Sequence, residues 1–465
     1  MSKDASELPG LTAAHEKMAA ADIRPSAMQT FEHYYRQLAD GVTGMVAEED
    51  IEPVDDIPTL TDVEITDEDA RAALAKTVII KLNGGLGTSM GLAGPKSLLE
   101  VRDGLTFLDV TVRQVLAARK QYDVRLPLVF MNSFATQKQT RDFLAKYPEL
   151  RIDGLDLDFE QSQEPKLLAD DLSPAQWEAN PDLEWAPPGH GDFYPSIFDS
   201  GILDALLDEG FEYASVSNSD NLGAAPDARL AGWFAASGAS FAMEVCRRTA
   251  NDRKGGHLAK RREDDQLILR EAAQTADEDL DAFQDINRHK FFNTNSLWLR
   301  LADLRDQLTA NDGVMGLPMI VNKKTVDPSD STSPQVIQIE TAIGAAIEVF
   351  DGSQAIEVGR DRFVPVKKTN ELLLLRSDIF ELDDQTYRLV SSKDDIPEID
   401  LDPDYYKLLD DFESRIPSPI SLIDADAFKV RGDFRFEERV QVVGEVELDT
   451  DTPRTIGAGA ILESR

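Results

Sequence analysis

Residues 81–98 read KLNGGLGTSMGLAGPKSL and directly follow the apolar run Val78–Ile79–Ile80. Five glycines fall between Gly84 and Gly94, and Lys96 follows them. A strand that opens into such a loop brings backbone N–H groups close to an anion without side-chain interference. A lysine beyond it adds a mobile point charge. The pattern predicts an α/β fold with a phosphate-binding loop at a strand end. Two familiar phosphate loops do not fit. The P-loop needs glycine directly before its Lys-Ser pair, and Pro95 stands there. The dinucleotide fingerprint is met by Gly85 and Gly87 but has Met90 in place of its third glycine. For an isolated loop, an ordinary glycine-rich turn would be the better reading. The order strand, loop, Gly94-Pro95-Lys96-Ser97 favours phosphate instead.

At 465 residues the chain exceeds what one core usually holds, so two or three domains are expected. It carries 86 acidic and 48 basic residues, a formal net charge of −38. Such a surface argues against nonspecific nucleic-acid binding and against anionic membranes. It also repels anionic substrates at long range, so a phosphate site here must be locally basic or use a metal. The single cysteine, Cys246, excludes an internal disulfide and lies in the apolar run 241–245, which reads as core. No secretory signal pattern and no span-length apolar run is present, and a soluble cytoplasmic protein is expected.

Met28, Phe31, Tyr35, Leu38, Val42 and Met45 recur at helical spacing. The acidic stretch 48–69 reads as a linker or packed loop. Strands are predicted at 77–82, 126–131, 211–217 and 240–245, and helices at 108–119, 134–146 and 197–207. This alternation argues for a mainly parallel sheet covered by helices, with ligands beyond the carboxyl ends of its strands. Residues 83–87 and 218–221 both follow a strand at that end. From Phe428 to Leu448 apolar and polar residues alternate, punctuated by Gly432 and Gly444. That pattern predicts a β-solenoid or small sheet.

Several long motifs then occur in one order: the glycine loop, PPGHGD at Pro187–Asp192, NSDNLGA at Asn218–Ala224, FNTN at Phe292–Asn295 and RFVPVK at Arg362–Lys367. In this order the chain closely resembles the eukaryotic-type UTP–glucose-1-phosphate uridylyltransferases, from about Ile23 to near the C-terminus. The resemblance implies a Rossmann-like, GT-A-like nucleotidyltransferase with a mixed sheet and helices on both faces. It also implies a C-terminal left-handed β-helix. The expected division is an N-terminal helical and acidic segment over residues 1–70, a catalytic domain over 71–378 and a C-terminal domain over 379–465.

The implied reaction joins UTP to glucose 1-phosphate and yields UDP-glucose and pyrophosphate. A phosphate monoester is mostly dianionic at neutral pH, its second pKa being about 6. The nucleophile therefore needs no general base. It needs alignment of two polyanions and neutralisation of the leaving charge. Lys96 and Lys367 are expected at the phosphates, with Lys368 a bystander. Arg360 and Arg362 either add positive charge or decorate a surface loop. Backbone groups of Leu82, Asn83, Gly84 and Gly85 are expected to face base and phosphates. Asp220, at a strand end, is expected to hold Mg²⁺ or to make an Asx-type turn. By resemblance Met131 and Gln161 contact the uracil, Gly189 the nucleotide, and His190, Asn218 and Ser219 the sugar phosphate. Gln161 sits in a segment, FEQSQEPK, that departs from the family's more basic form. Asn293 and Asn295 carry amides suited to sugar hydroxyls or to turn capping, and Glu340 is a further hydroxyl candidate. A UDP-N-acetylhexosamine or broad UDP-sugar pyrophosphorylase, and a catalytically silent nucleotide-binding relative, are the alternatives. The silent relative predicts loss of Lys96, Asp220 or Lys367, and all three are present. Self-association into a homo-oligomer stays open.

Overall fold

The computed structural model describes residues 8–249, 252–393 and 395–463. Its centre is a ten-stranded sheet. The strands are β1 (Ile51–Pro53), β2 (Thr77–Asn83), β3 (Leu128–Asn132), β4 (Asp158–Glu160), β5 (Tyr213–Asn218), β6 (Phe241–Arg247), β7 (His257–Arg261), β8 (Leu267–Arg270), β9 (Phe291–Arg300) and β10 (Gln354–Glu357). The order runs β1-β7-β9-β5-β2-β3-β4, with β6 joining β9 to β10 and β8 beside β7. Strands β5, β2, β3 and β4 are mutually parallel, whereas β9 is antiparallel to β5 and β6. The sheet is thus mixed, as the resemblance implies, rather than mainly parallel as the alternation of elements alone argues. All seven residues of β2 are buried. Val78 and Ile80 pack with the helices over 193–208 and 301–310, while Ile79 packs on the opposite face with those over 107–122 and 228–237. A strand covered on both faces reads as a continuous apolar run, which is what the sequence shows before Lys81.

Local chemistry explains most departures from the expected elements. The single helix expected over 197–207 is two, Phe193–Asp199 and Ile202–Asp208, because Gly201 adopts φ 76° between them. The helix expected from Met28 spans Pro25–Ala39 and is preceded by another, Pro9–Ala20, each starting with proline in its first turn. The acidic stretch is not only a linker: Ile51–Pro53 pairs along the sheet edge with Arg261–Ala259. Near the C-terminus, Glu398–Leu401, Ala425–Arg431, Gln441–Asp449 and Ile461–Glu463 form a parallel four-stranded sheet, and Phe434–Phe436 pairs in parallel with Arg454–Ile456. Phe428 lies beside Val446 and Val430 beside Leu448, so the alternating apolar positions stack strand on strand. This core continues without a break into Met90, Leu99, Phe107 and Leu222.

A second polar feature lies inside the sheet. His257 and His289 are fully buried, with ring centroids 3.8 Å apart. Arg248 and Arg270 flank them through Phe283, and His289 Nε2 lies 3.0 Å from Glu48 Oε1. Burial, then the neighbouring cations, hold His257 well below its ordinary 6.5. Burial also lowers His289, partly offset by Glu48. As pH falls through 6.5 the unfolded chain protonates these rings and the native chain does not, so their contribution to stability is lost on acidification. Asp192 and Glu348, raised to about 6 and about 7 by burial, act in the opposite direction. Comparison with a variant isolates the histidine. His257→Phe should be less stable than the parent at pH 7.5. The gap should narrow by about 1.4 kcal/mol per pH unit between pH 6.5 and 5 in urea titrations. A gap independent of pH would show that His257 does not titrate on unfolding.

Candidate active site

The parallel register of β2 with β5 sets Lys81 beside Ser217 and Leu82 beside Asn218. Both strands end at the same level, and the Ser219 N–H donates to Leu82 O at 3.0 Å beyond β5. Two loops therefore leave the sheet side by side at its carboxyl edge. The first is the glycine loop. It folds back on itself through a bridge between Leu86 and Pro95, and the Lys96 N–H donates to Gly85 O at 3.2 Å. Gly84 lies so close to Gln161 that a Cβ would sit 2.6 Å from Oε1. Ser133 Oγ donates to Gly84 O at 2.9 Å. Gly84 is thus held against two polar side chains and stays half-buried.

The fold-back brings Lys96 to the second loop. Its Nζ lies 2.5 Å from Asp220 Oδ2, with both side chains mostly but not wholly covered. The lysine expected at phosphate and the carboxylate expected at a metal are thus ion-paired to each other. Neither is a plain surface residue, and the Asx-type turn in this loop is made by Asn221, whose Oδ1 accepts the Gly223 N–H, rather than by Asp220. Among the described residues no group of three or more His, Cys, Asp or Glu side chains gathers as a metal cage. Asp220 alone fits Mg²⁺ bound as that ion commonly is, through one carboxylate with the remaining oxygens from phosphate and water.

Beyond this pair opens a cleft of about 370 Å³ lined by His190, Asn218, Asp252, Lys254, Glu271, Asn293, Asn295, Phe292, Phe363 and Lys367. Asn293 and Asn295 reach it from a β-bulge: β9 slips in register against β6 between Glu244 and Val245, and Asn295 adopts φ 58°. Bulges re-aim side chains in this way. Asn295 Nδ2 donates to Asn218 Oδ1 at 2.9 Å, while its own Oδ1 is buried and unpartnered among the described residues. An orphan acceptor at a cleft wall suits a hydroxyl donor. His190 Nδ1 accepts from the Ile343 N–H at 2.8 Å. The neutral ring then carries its proton on Nε2, as a donor toward the cleft. Protein packed around the ring lowers its pKa, although its outer edge stays exposed.

The remaining expected residues divide. Gln161 joins the site, its Nε2 donating to Gly189 O at 3.2 Å. Gly189 has φ 77°, and a Cβ there would lie 2.5 Å from Thr341 O. Met131, Asn83 and Ser219 are buried, and Asn83 Nδ2 is committed to Asn132 and Thr140. The Met131 side chain packs in the core. Glu340 lies beside Gly189 but lines a small separate cavity with Glu164 and Asp192, 3.5 Å from Lys324. Arg362 corrects an expectation: it adds no charge to the cleft. It is buried and paired with Glu244, Nε to Oε2 at 2.7 Å. Arg360 stays at the rim, paired with Asp252 and stacked on Phe292. Lys367 and Lys368 are both exposed, but only Lys367 lines the cleft, while Lys368 caps the Thr369–Arg376 helix. Asp192, adjacent in sequence to His190, bonds Ser162 and Ser196 instead. Cys246 is fully buried, and burial pushes its thiol up to about 12, so it is no nucleophile. Sequence reasoning missed Lys254 and Glu271, for which the adjacent pair Gly255–Gly256 was the available signal.

Comparison with known proteins gives the family. A profile of the family described as UTP--glucose-1-phosphate uridylyltransferase matches residues 28–443. The enzyme of that name from Solanum tuberosum is 41% identical over 384 residues, 82% of this chain and 78% of the relative. That from Saccharomyces cerevisiae is 40% identical over 84% of this chain and 78% of its own. A UDP-glucose pyrophosphorylase variant from Leishmania major, crystallised in complex with UDP-glucose, superposes with a TM-score of 0.91 at 41% identity, covering 98% of both chains. A structure from Trypanosoma brucei gives 0.90 at 42%. With a phosphate loop, an ion-paired lysine and carboxylate, and an amide-lined cleft meeting at one sheet edge, the chain belongs to the UTP–glucose-1-phosphate uridylyltransferase family.

Proposed function

We propose that the protein transfers the uridylyl group of UTP to glucose 1-phosphate, releasing pyrophosphate and forming UDP-glucose. The observation that carries this reading is the Lys96–Asp220 pair, held across two adjacent strand ends, two residues from Asn218 in the wall of an amide-lined cleft. In the free chain each charge satisfies the other. When a triphosphate arrives, the Lys96 ammonium exchanges the carboxylate for phosphate oxygens, and Asp220 is freed. Bound Mg²⁺ would supply positive charge to the phosphates beside Asp220. Backbone N–H groups of the glycine loop and the Lys367 ammonium complete the polyanion's surroundings. His190 Nε2–H, Asn218 and Ser219 are assigned to the sugar phosphate. Asn293 and Asn295 are assigned to the hydroxyls, with Glu340 no closer than the wall behind Gly189. Gln161, with backbone from Leu82 and Met131, is assigned to the base. The C-terminal parallel coil is read as a left-handed β-helix, the domains as 1–70, 71–378 and 379–465, and the setting as cytoplasmic. Any homo-oligomer would be tested by light scattering.

The direct test is pyrophosphate release from UTP. Glucose 1-phosphate should be the better acceptor and N-acetylglucosamine 1-phosphate much poorer, since an acetamido group needs room that a glucose pocket lacks. Chelation should abolish turnover, Mg²⁺ should restore it, and Asp220→Asn should shift the Mg²⁺ titration. A specificity constant favouring the acetylated sugar would replace glucose in this reading.

Charge at the phosphates gives a second test. Lys96→Met and Lys367→Met each remove one charge-assisted contact. Each should cost about 1.5–3 kcal/mol, roughly ten- to a hundredfold in kcat/KM. Lys368→Met should stay within twofold of the parent. Equal mild losses in all three would move the phosphate path elsewhere.

A dianionic nucleophile gains nothing from a covalent nucleotidyl-enzyme, and the buried Cys246 thiol offers none. The reaction should be one in-line displacement with both substrates bound. UTP chiral at the α-phosphorus should give inverted product, and Cys246→Ser should remain active; net retention would require two displacements.

A further inference from the structure

Lys81 is a lysine in the middle of the sheet, 1% exposed, on a strand whose other residues between Thr77 and Asn83 are apolar. It reaches no cleft. Its Nζ donates to Ser217 Oγ at 2.8 Å and to Ala224 O at 2.9 Å. Those acceptors stand at the two ends of one loop. Ser217 is the penultimate residue of β5, and Ala224 follows the turn closed by the Gly223 N–H on Asn221 Oδ1 at 3.2 Å. Between them lies Asp220. The outer side of the same loop is held separately. Asn221 Nδ2 donates to Arg362 O at 3.1 Å, Asn221 Oδ1 accepts the Val364 N–H at 2.9 Å, and Gly223 presses on the Asp361 and Arg362 backbone. Among the described residues the Asp220 side chain has one hydrogen-bond partner, Lys96. The carboxylate's place therefore depends on the loop, whose two ends Lys81 ties together, alongside the Gln114 Nε2 bond to Leu222 O at 3.0 Å and the Ser219 N–H bond to Leu82 O at 3.0 Å.

A buried ammonium is costly unless its protons are used. Burial and the neighbouring Arg362 lower its pKa to about 7, with Glu244 and Asp220 opposing them. Methionine would fill the same volume without that cost, but it could not bridge a hydroxyl and a carbonyl on opposite ends of a loop. We propose that Lys81 is a positioning residue: its ammonium clamps the Ser217–Ala224 loop from beneath and so fixes Asp220 against the glycine loop. The kinetic consequence rests on the proposed function; the mechanical claim does not.

The experiment compares Lys81→Met, Ser217→Ala and, as a packing control on the same strand, Ile79→Val. Hydrogen exchange is measured in the ligand-free chains, and the Mg²⁺ half-saturation of turnover is measured in parallel. Lys81→Met should speed amide exchange across residues 218–225 about tenfold and raise the Mg²⁺ half-saturation three- to tenfold, as loss of buried hydrogen bonds predicts. Ser217→Ala should move both the same way by less and stands in where Lys81→Met does not fold. Ile79→Val should lower the melting temperature while leaving both readouts unchanged. Unchanged exchange over 218–225 in the folded variants overturns the proposal. So does faster exchange with an unaltered Mg²⁺ titration, which would make Lys81 merely structural. If the parent releases no pyrophosphate, the proposed function fails, and the exchange comparison alone decides the role of Lys81.

Discussion

The parallel pairing of β2 with β5 is the constraint on which the rest depends. It aligns Lys81 with Ser217 and Leu82 with Asn218, so the glycine loop and the Asn218–Ala224 loop leave the sheet at one level. A slip by one residue would turn every side chain of β2 to the opposite face. Val78 and Ile80 would then exchange cores with Ile79, and Lys81 would lose its two acceptors. The alternation of β2 between two apolar cores thus locks the geometry of the polar edge. The Lys96–Asp220 contact is a consequence: two loops fixed at their roots, one folded back through Leu86 and Pro95, meet at their tips.

Charge explains why that meeting is built from a pair. The chain carries a formal −38, and its surface field opposes every anion that approaches. Screening at physiological salt limits that field to about 8 Å, so the local arrangement decides binding. Around the cleft stand Lys254 and Lys367 as well as Asp252 and Glu271. Arg360 is balanced by Asp252 and Arg362 by Glu244. The basic charge not already offset by a close carboxylate is small, and a further unit, on Lys96, is held by a partner a polyanion can displace.

What was legible in the chain was what is encoded locally. The strands around Val78 and Val216 read from apolar runs, the loop from its glycines, and Cys246 as core from its neighbours. What was not legible depended on strand pairing. The antiparallel insertion of β9 between β7 and β5 has no local signature, so the sheet read as mainly parallel. The bulge that aims Asn293 and Asn295 exists only because β9 and β6 fall out of register at Glu244. Arg362 read as a rim charge because its partner lies 118 residues away in sequence. Lys81 could not be told from a solvated lysine until both of its acceptors were known. Gly201 was readable as a breaker, and the helical period on either side masked it.

The distribution of titratable groups fits a displacement that needs no proton transfer from the protein. Side chains strongly shifted by burial, among them Glu164, His257, Lys81 and Cys246, stand off the cleft wall, in the small cavity behind Gly189, beneath the Gly255–Gly256 turn and in the core. His190 is the exception in place but not in role. Its Nδ1 is occupied by a backbone N–H, so the neutral ring offers a donor and no base. What gathers at the two strand ends is fixed donors, mobile cations and the Asp220 carboxylate, with Asp252 and Glu271 also lining the cleft. A site of that composition can hold two phosphates in line and spread the charge of a departing pyrophosphate. An acceptor which arrives already ionised asks no more of the site than that.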